Sequence, residues 1–437
     1  MDSFVKKIRP INHPLAACVT VPGSKSHTNR ALLLAALACG TTTLHNALDS
    51  EDTRYFMTAL RELGFDLQHN PDERLITVRG SGGEIPAERA NLCIGNAGTA
   101  ARFLTALLTL GNGVYRIDGV ARMRQRPIGD LVAALNRLGA DVKGTPSGSP
   151  APVEESRAVC PPVTILGGGL PGGSTSIRGD TSSQYLSGLL MVAPYARVPV
   201  EITVEGPLTS KPYIDLTLNV MADYGVQVHR KDYTAFSIFP QVYQSPGRYR
   251  IESDASAASY FFAAPAICGG WVQVAHISKD TRQGDIAFLD VLSRMGCAIT
   301  FEKDGIQVSG PDRINGVEVD MADISDTSMT LAAIAPFAMT PTTIRGIASS
   351  RVKETDRITA TCTELRRLGV QVDEHADGMT IYPCDQIQPA RIRTYGDHRM
   401  AMAFSLVGLR IPDIEINDPD CVAKTFPDYF QVLDSLR

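Results

Sequence analysis

The stretch Ala59-Leu60-Arg61-Glu62-Leu63-Gly64-Phe65-Asp66-Leu67 decides the reading of the fold, because its pattern returns four more times. ALNRLGADV spans 134–142, VMADYGVQV 220–228, VLSRMGCAI 291–299 and ELRRLGVQV 364–372. Each phrase closes an amphipathic helix, places a glycine and opens a short apolar strand. Gly64, Gly139, Gly225, Gly296 and Gly369 stand where a helix ends in a left-handed cap, which glycine adopts without a Cβ penalty. Consecutive glycines lie 71 to 86 residues apart. That period is too long for the common solenoids, and five copies at near-constant spacing are internal repetition. The terminal FQVLDSLR reads as a sixth copy stopped at its helix. The expected class is α/β, with six units of about 75 residues.

Three repeats fall before the middle of the chain and three after it, so two pseudo-symmetric lobes are expected. One lobe should span 24–251. The other should combine 1–23 with 252–437, with crossings near Pro22-Gly23 and Arg250 to Asp254 and a cleft between the lobes for the site. The Pro- and Gly-rich stretches 144–152 and 167–173 read as loops inside a lobe.

The 437 residues are 44% hydrophobic and 20% charged, as in an ordinary globular protein. A net charge of -5 gives no basic field for nucleic acid. Nine scattered cysteines without a C-x-x-C pair point to reduced thiols and neither a disulfide frame nor a zinc site. Apolar runs stop short of the roughly 18–20 residues of a membrane helix, and MDSFVKKIRPINHP lacks an apolar signal core. A cytoplasmic protein without a zinc site is expected.

The chemistry gathers at helix starts. Val21-Pro22-Gly23-Ser24-Lys25-Ser26-His27-Thr28-Asn29-Arg30 precedes ALLLAALA, and Ser24 or Ser26 can cap that helix. Free N–H groups, two hydroxyls, Lys25 and Arg30 make an anion site. It is not a Walker A loop, because Ser24 stands where that motif needs glycine. Ile94-Gly95-Asn96-Ala97-Gly98-Thr99 with Arg102 gives a second cradle, with Thr99 as the expected cap. Arg122, Arg124 and Arg126 cluster before Pro127. Thr181-Ser182-Ser183-Gln184 and Ser210-Lys211-Pro212-Tyr213 add hydroxyls. Asp326 opens the helix LAAIAPFA, where a helix start lowers a carboxyl pKa. Lys353 and Arg357 are read as i, i+4 on one helical face beside Glu354. Gly396-Asp397-His398-Arg399 and Lys424-Thr425-Phe426-Pro427 complete the set. Taken singly, each is an ordinary capped turn or a solvated basic loop. Together they fit a ligand with several anionic groups. No metal-ligand spacing and no nucleophile elbow occur, which leaves proton transfer with electrostatic stabilisation.

At this point the sequence resembles the EPSP synthases, the 3-phosphoshikimate 1-carboxyvinyltransferases. PGSKS..NRALLLAAL, GNAGTA.R, RPIGDL, SSQ, SKPYID, DASAASYF, RVKETDR, DHRMAM and AKTFPDYF all occur in family order over nearly the whole chain. The resemblance implies two lobes of three βαβαββ units each, an inside-out α/β barrel. It implies transfer of the enolpyruvyl group of phosphoenolpyruvate to the 5-hydroxyl of shikimate 3-phosphate, without metal or cofactor, on the shikimate route to chorismate and the aromatic amino acids. Lys25, Gly98, Arg126, Gln184, Arg357, Arg399 and Lys424 would hold phosphoenolpyruvate. Lys25, Ser26, Arg30, Ser182, Ser183, Gln184, Ser210, Tyr213, Asp326 and Lys353 would hold shikimate 3-phosphate. Asp326 would accept a proton and Glu354 would donate one, with Lys25 as a competing shuttle. Asn96, Thr99, Arg102 and His398 would support them. The resemblance also places Gly98 against the inhibitor glyphosate, where a Cβ would project towards the ligand.

Two positions depart from relatives. Ser349 stands where some carry asparagine, and Phe103 where some carry proline behind Gly98. The sister enzyme, UDP-N-acetylglucosamine enolpyruvyl transferase, is the nearest alternative. Its loop cysteine has no counterpart between Gly119 and Pro127. A homologue that only binds phosphorylated ligands is the other. It would be expected to have lost Lys25, Asp326, Glu354 or Arg399.

Overall fold

The computed structural model describes residues 5–146 and 159–437. The chain forms two compact units, Gly23–Ile251 and Met1–Pro22 with Glu252–Arg437. Each has its own apolar core.

Within the unit Gly23–Ile251, three open four-stranded sheets share one plan. Arg89–Cys93 runs parallel to Val114–Asp118, which pairs antiparallel with Val159–Leu166, and that strand with Asp141–Pro146. Gly173–Arg178, Val200–Glu205, Ala235–Ile238 and His229–Lys231 repeat the order. Arg248–Arg250, Cys39–His45, Leu75–Ser81 and Asp66–Asn70 repeat it again. A parallel pair cannot be joined by a tight turn, so a helix must cross between its strands. Gly98–Leu107 does this in the first sheet, and every one of its residues is buried. It packs on Lys25–Leu37 and on Ser183–Val192, the equivalent helices of the other two repeats. Apolar helices therefore lie inside and the sheets outside. The second helix of each repeat is two-faced. Glu51–Glu62 buries Phe56, Met57, Ala59 and Leu60 and exposes Glu51, Arg54, Arg61 and Glu62, while Asp52 is buried.

The other unit is built alike. Its buried crossing helices are Ala255–Cys268, Ser328–Ile334 and His398–Gly408. Leu15–Thr20, Gly270–Ala275, Gly305–Ser309 and Ala298–Glu302 form one sheet, and Glu318–Asp320, Thr342–Arg345, Gly378–Ile381 and Val372–His375 another. The sixth repeat does not simply stop at its helix. The N-terminal strand Val5–Lys7 pairs antiparallel with Glu415–Asn417, beside Arg391–Ile392, and supplies what the C-terminus lacks.

The five repeat glycines all have positive φ, from 79° at Gly369 to 106° at Gly296. Residues 144–146, expected in a loop, instead end the strand Asp141–Pro146, and 147–152 lie outside the described residues. Among the described residues, no helix is long and apolar enough to cross a membrane.

Candidate active site

In the unit Gly23–Ile251, the crossing helices begin at the polar motifs. Ser24 caps Lys25–Leu37, its Oγ accepting from the His27 N–H at 3.4 Å. Lys25 Nζ lies 3.4 Å from Asp52 Oδ2, a buried carboxylate absent from the sequence-derived set. Arg30 is buried and committed inward. Its Nε donates to Thr217 at 2.7 Å, Nη1 to the Ser26 carbonyl at 2.9 Å, and Nη2 to Ser187 and the Tyr213 carbonyl at 3.1 Å. Burial lowers its pKa to about 10. The guanidinium also lies 5.4 Å from the Phe103 ring centre, so Phe103 gives Arg30 an aromatic platform. The helix runs unbroken through Phe103.

Gly98 opens its helix with Ala97 as the cap, so Thr99 is not the capping residue. The Thr99 hydroxyl instead accepts from Gln184 Nε2 at 3.3 Å. Arg126 Nη1 donates to the Asn96 carbonyl at 3.0 Å and to its side-chain oxygen at 3.2 Å. Arg102 donates to the Gly98 carbonyl at 3.0 Å and to the Pro127 carbonyl at 2.8 Å, and so ties the two loops together. Ser182 caps Ser183–Val192 by accepting from the Gln184 N–H at 3.3 Å. Ser210 precedes Lys211–Asp223 with a φ of 56°, and Tyr213 follows in its first turn.

In the other unit a dense charge cluster forms. Asp326 lies in a short turn of 3-10 helix, Ser325–Thr327. Its Oδ1 accepts from Lys353 Nζ at 2.6 Å and Arg357 Nη1 at 3.1 Å, and its Oδ2 from Arg399 Nη2 at 2.8 Å. Burial alone would raise its pKa, but Arg399, Lys353 and Arg357 outweigh burial and hold it well below the usual carboxylate range. The helix start expected to do this is a minor feature beside three cations. Burial moves Lys353 the other way, lowering its pKa against the pull of Asp326.

Lys353 and Arg357 do not share a helical face. Asp356 caps the helix Arg357–Arg367 through the Thr359 N–H at 3.0 Å, so Lys353 and Glu354 precede the helix, in a bend that follows the 3-10 turn Ala348–Val352. Arg357 bonds Asp397 at 2.7 and 3.3 Å and Glu354 at 2.9 Å as well as Asp326. Burial would lower its pKa, but Asp397, Glu354 and Asp326 together raise it. Asp397 also caps the helix His398–Gly408 through the Arg399 N–H at 2.9 Å. His398 is fully buried, with Nδ1 3.4 Å from Asp397 Oδ1. Lys424 is buried at the end of the turn Pro419–Lys424.

Sequence reasoning missed Asp397 and Asp285 as members of this cluster. Asp397 was in view inside Gly396-Asp397-His398-Arg399, and its position before an apolar helix was the signal. Asp285 carried none, because only the fold brings it to Ser256, whose hydroxyl donates to it. Burial and then the Asp326 charge raise its pKa to about 6, against the Ser256 hydrogen bond. Among the described residues, no three His, Cys, Asp or Glu side chains are grouped as a metal site.

The sequence profile of EPSP synthase (3-phosphoshikimate 1-carboxyvinyltransferase) matches residues 10–433. A 3-phosphoshikimate 1-carboxyvinyltransferase of Trichormus variabilis is 51% identical over 430 residues, covering 98% of both chains. One from Shewanella denitrificans is 49% identical over 414 residues, 94% of each chain. The solved structure of EPSP synthase from Acinetobacter baumannii superposes with a TM-score of 0.80 at 26% identity, over 98% of this chain and 97% of that one. The enolpyruvyl transferase NikO from Streptomyces tendae shares the fold, with a TM-score of 0.75 at 19% identity over 99% of this chain and 97% of that one. With a match of this length and identity, the chain belongs to the EPSP synthase (3-phosphoshikimate 1-carboxyvinyltransferase) family.

Proposed function

We propose that this enzyme transfers the enolpyruvyl group of phosphoenolpyruvate to the 5-hydroxyl of shikimate 3-phosphate and releases phosphate. The full-length match to relatives named for that reaction carries the proposal. The retention of Lys25, Asp326, Glu354 and Arg399, each buried or half-buried among charged partners, supports catalysis over mere ligand binding.

Lys25, Gly98, Arg126, Gln184, Arg357, Arg399 and Lys424 would bind phosphoenolpyruvate. Lys25, Ser26, Arg30, Ser182, Ser183, Gln184, Ser210, Tyr213, Asp326 and Lys353 would bind shikimate 3-phosphate. Glu354, with Lys25 as the competing donor, gives a proton to the methylene carbon. The adjacent carbon becomes cationic in character, and the 5-hydroxyl attacks it as its proton passes to Asp326. The tetrahedral adduct loses a methyl proton and phosphate to give the enol ether. Arginines and lysines around the phosphate and carboxylate stabilise charge along this path. The enzyme is read as a cytoplasmic monomer acting on two small anions.

Phosphate release, followed with each substrate omitted in turn, tests this reading. Release only when both are present supports it. Release with UDP-N-acetylglucosamine as the acceptor instead would favour the sister activity.

A further inference from the structure

Asp326 is bonded to three cations that the proposed function assigns to the substrates. Lys353 would bind shikimate 3-phosphate, and Arg357 and Arg399 would bind phosphoenolpyruvate. Their bonds to Asp326 are 2.6, 3.1 and 2.8 Å long. A carboxylate offers about four lone-pair positions, so three charge-assisted bonds nearly fill it. A carboxylate so surrounded is a poor acceptor for a hydroxyl proton, and cations so engaged are less able to bind a second anion.

Lys353, Arg357 and Arg399 pair with Asp326, and Arg357 also with Glu354 and Asp397. An arriving phosphate or carboxylate that binds these cations must take a share of what Asp326 holds. Arg357 and Arg399 are held differently. Arg357 is fixed by the two bonds to Asp397 and the bond to Glu354. Arg399 donates to Asp326 at 2.8 Å and to the Tyr260 hydroxyl at 3.5 Å.

We infer that Asp326 is the resident counter-ion of the substrate-binding cations, and that an incoming anion takes over Arg399 from it, so that proton acceptance is switched on by anion binding. The exchange rests on the proposed function for its biological meaning, but it can be measured without turnover. Weakened pairing with Arg399 moves Asp326 back towards ordinary carboxylate basicity, in place for the hydroxyl proton. The device couples occupancy to base strength, because a ligand shifts an equilibrium by its differential interaction with the two states.

The test is equilibrium titration of inorganic phosphate, and separately of phosphoenolpyruvate, into the wild type, Asp326→Asn and Asp326→Ala, with folding checked by thermal melting. Removing an internal competitor should tighten phosphate binding by about tenfold or more in both variants. In the Arg399→Gln background the same Asp326 substitution should give little gain, as expected when two residues act through one contact. Equal or weaker phosphate affinity in the Asp326 variants would overturn the exchange, and so would a gain that persists without Arg399. Wild-type turnover with both substrates judges the proposed function separately. Tightened phosphate binding in an enzyme that does not turn over would overturn that function while supporting the exchange.

Discussion

Gly98 and Arg126 share one space: a Cβ on Gly98 would lie 2.4 Å from Arg126 Nη2 and 2.8 Å from its Cζ. From sequence alone, a side chain at Gly98 was expected to press on the ligand. In the structure it meets the Arg126 guanidinium, which is anchored on Asn96. Gly98→Ala must therefore move an arginine proposed to bind phosphoenolpyruvate.

The expected outcome for Gly98→Ala is a raised KM for phosphoenolpyruvate together with weaker inhibition by glyphosate, and little change for shikimate 3-phosphate. Overpacking by one methyl costs about 1–3 kcal/mol, roughly ten- to a hundredfold in affinity. Steady-state kinetics on both proteins decides the matter. An unchanged KM for phosphoenolpyruvate would mean that Arg126 yields without functional cost.

Asp326→Asn and Glu354→Gln should each lower kcat by about 10²-fold or more, the usual scale for a general acid or base. Circular dichroism and melting would confirm that both variants fold. Near-normal turnover in either one removes that residue from the proton-transfer scheme.

Asp285 allows a stability test with a defined sign. Burial first, and the Asp326 charge second, raise its carboxyl pKa from 3.8 to about 6. The folded state then holds a proton that the unfolded chain releases, so stability falls as pH rises from about 4 to about 6. Asp285→Asn removes this penalty. The variant should gain on the order of 1–3 kcal/mol over wild type at pH 7, and the gain should vanish below about pH 4. Denaturant unfolding at the two pH values measures it. A gain independent of pH would assign the effect to packing.

Lys25 and Asp52 form a pair in which the carboxylate is buried. Asp52→Asn should leave Lys25 less fixed and lower kcat/KM by about tenfold, in line with the roughly 1.5–3 kcal/mol of a hydrogen bond to a charged group. Full activity in the variant would show that Lys25 is positioned without Asp52.

The repeat was legible because its signal is local. A helix end, a positive-φ glycine and an apolar strand follow one another in the chain, and each copy declares itself. The loop motifs were legible because caps and cations lie within a few residues of a helix start. What was not legible depends on long-range pairing. The strand Val5–Lys7 completes the last repeat from the other end of the chain, some 410 residues from its partner Glu415–Asn417. Asp52, Asp285 and Asp397 gained their partners only through folding, and Arg30 spends its donors on Thr217, Ser187 and the Tyr213 carbonyl, far away in sequence. The i, i+4 reading of Lys353 and Arg357 failed because Asp356 starts the helix after Lys353.

The most direct test of enolpyruvyl transfer is the reaction of both substrates in deuterium oxide, followed by proton and phosphorus NMR. The account predicts one inorganic phosphate for each vinyl ether formed on the 5-oxygen, with deuterium appearing at the vinyl methylene because that carbon is protonated and then deprotonated. A vinyl ether free of deuterium would contradict the proton-transfer scheme, and unchanged substrates would contradict the assigned activity.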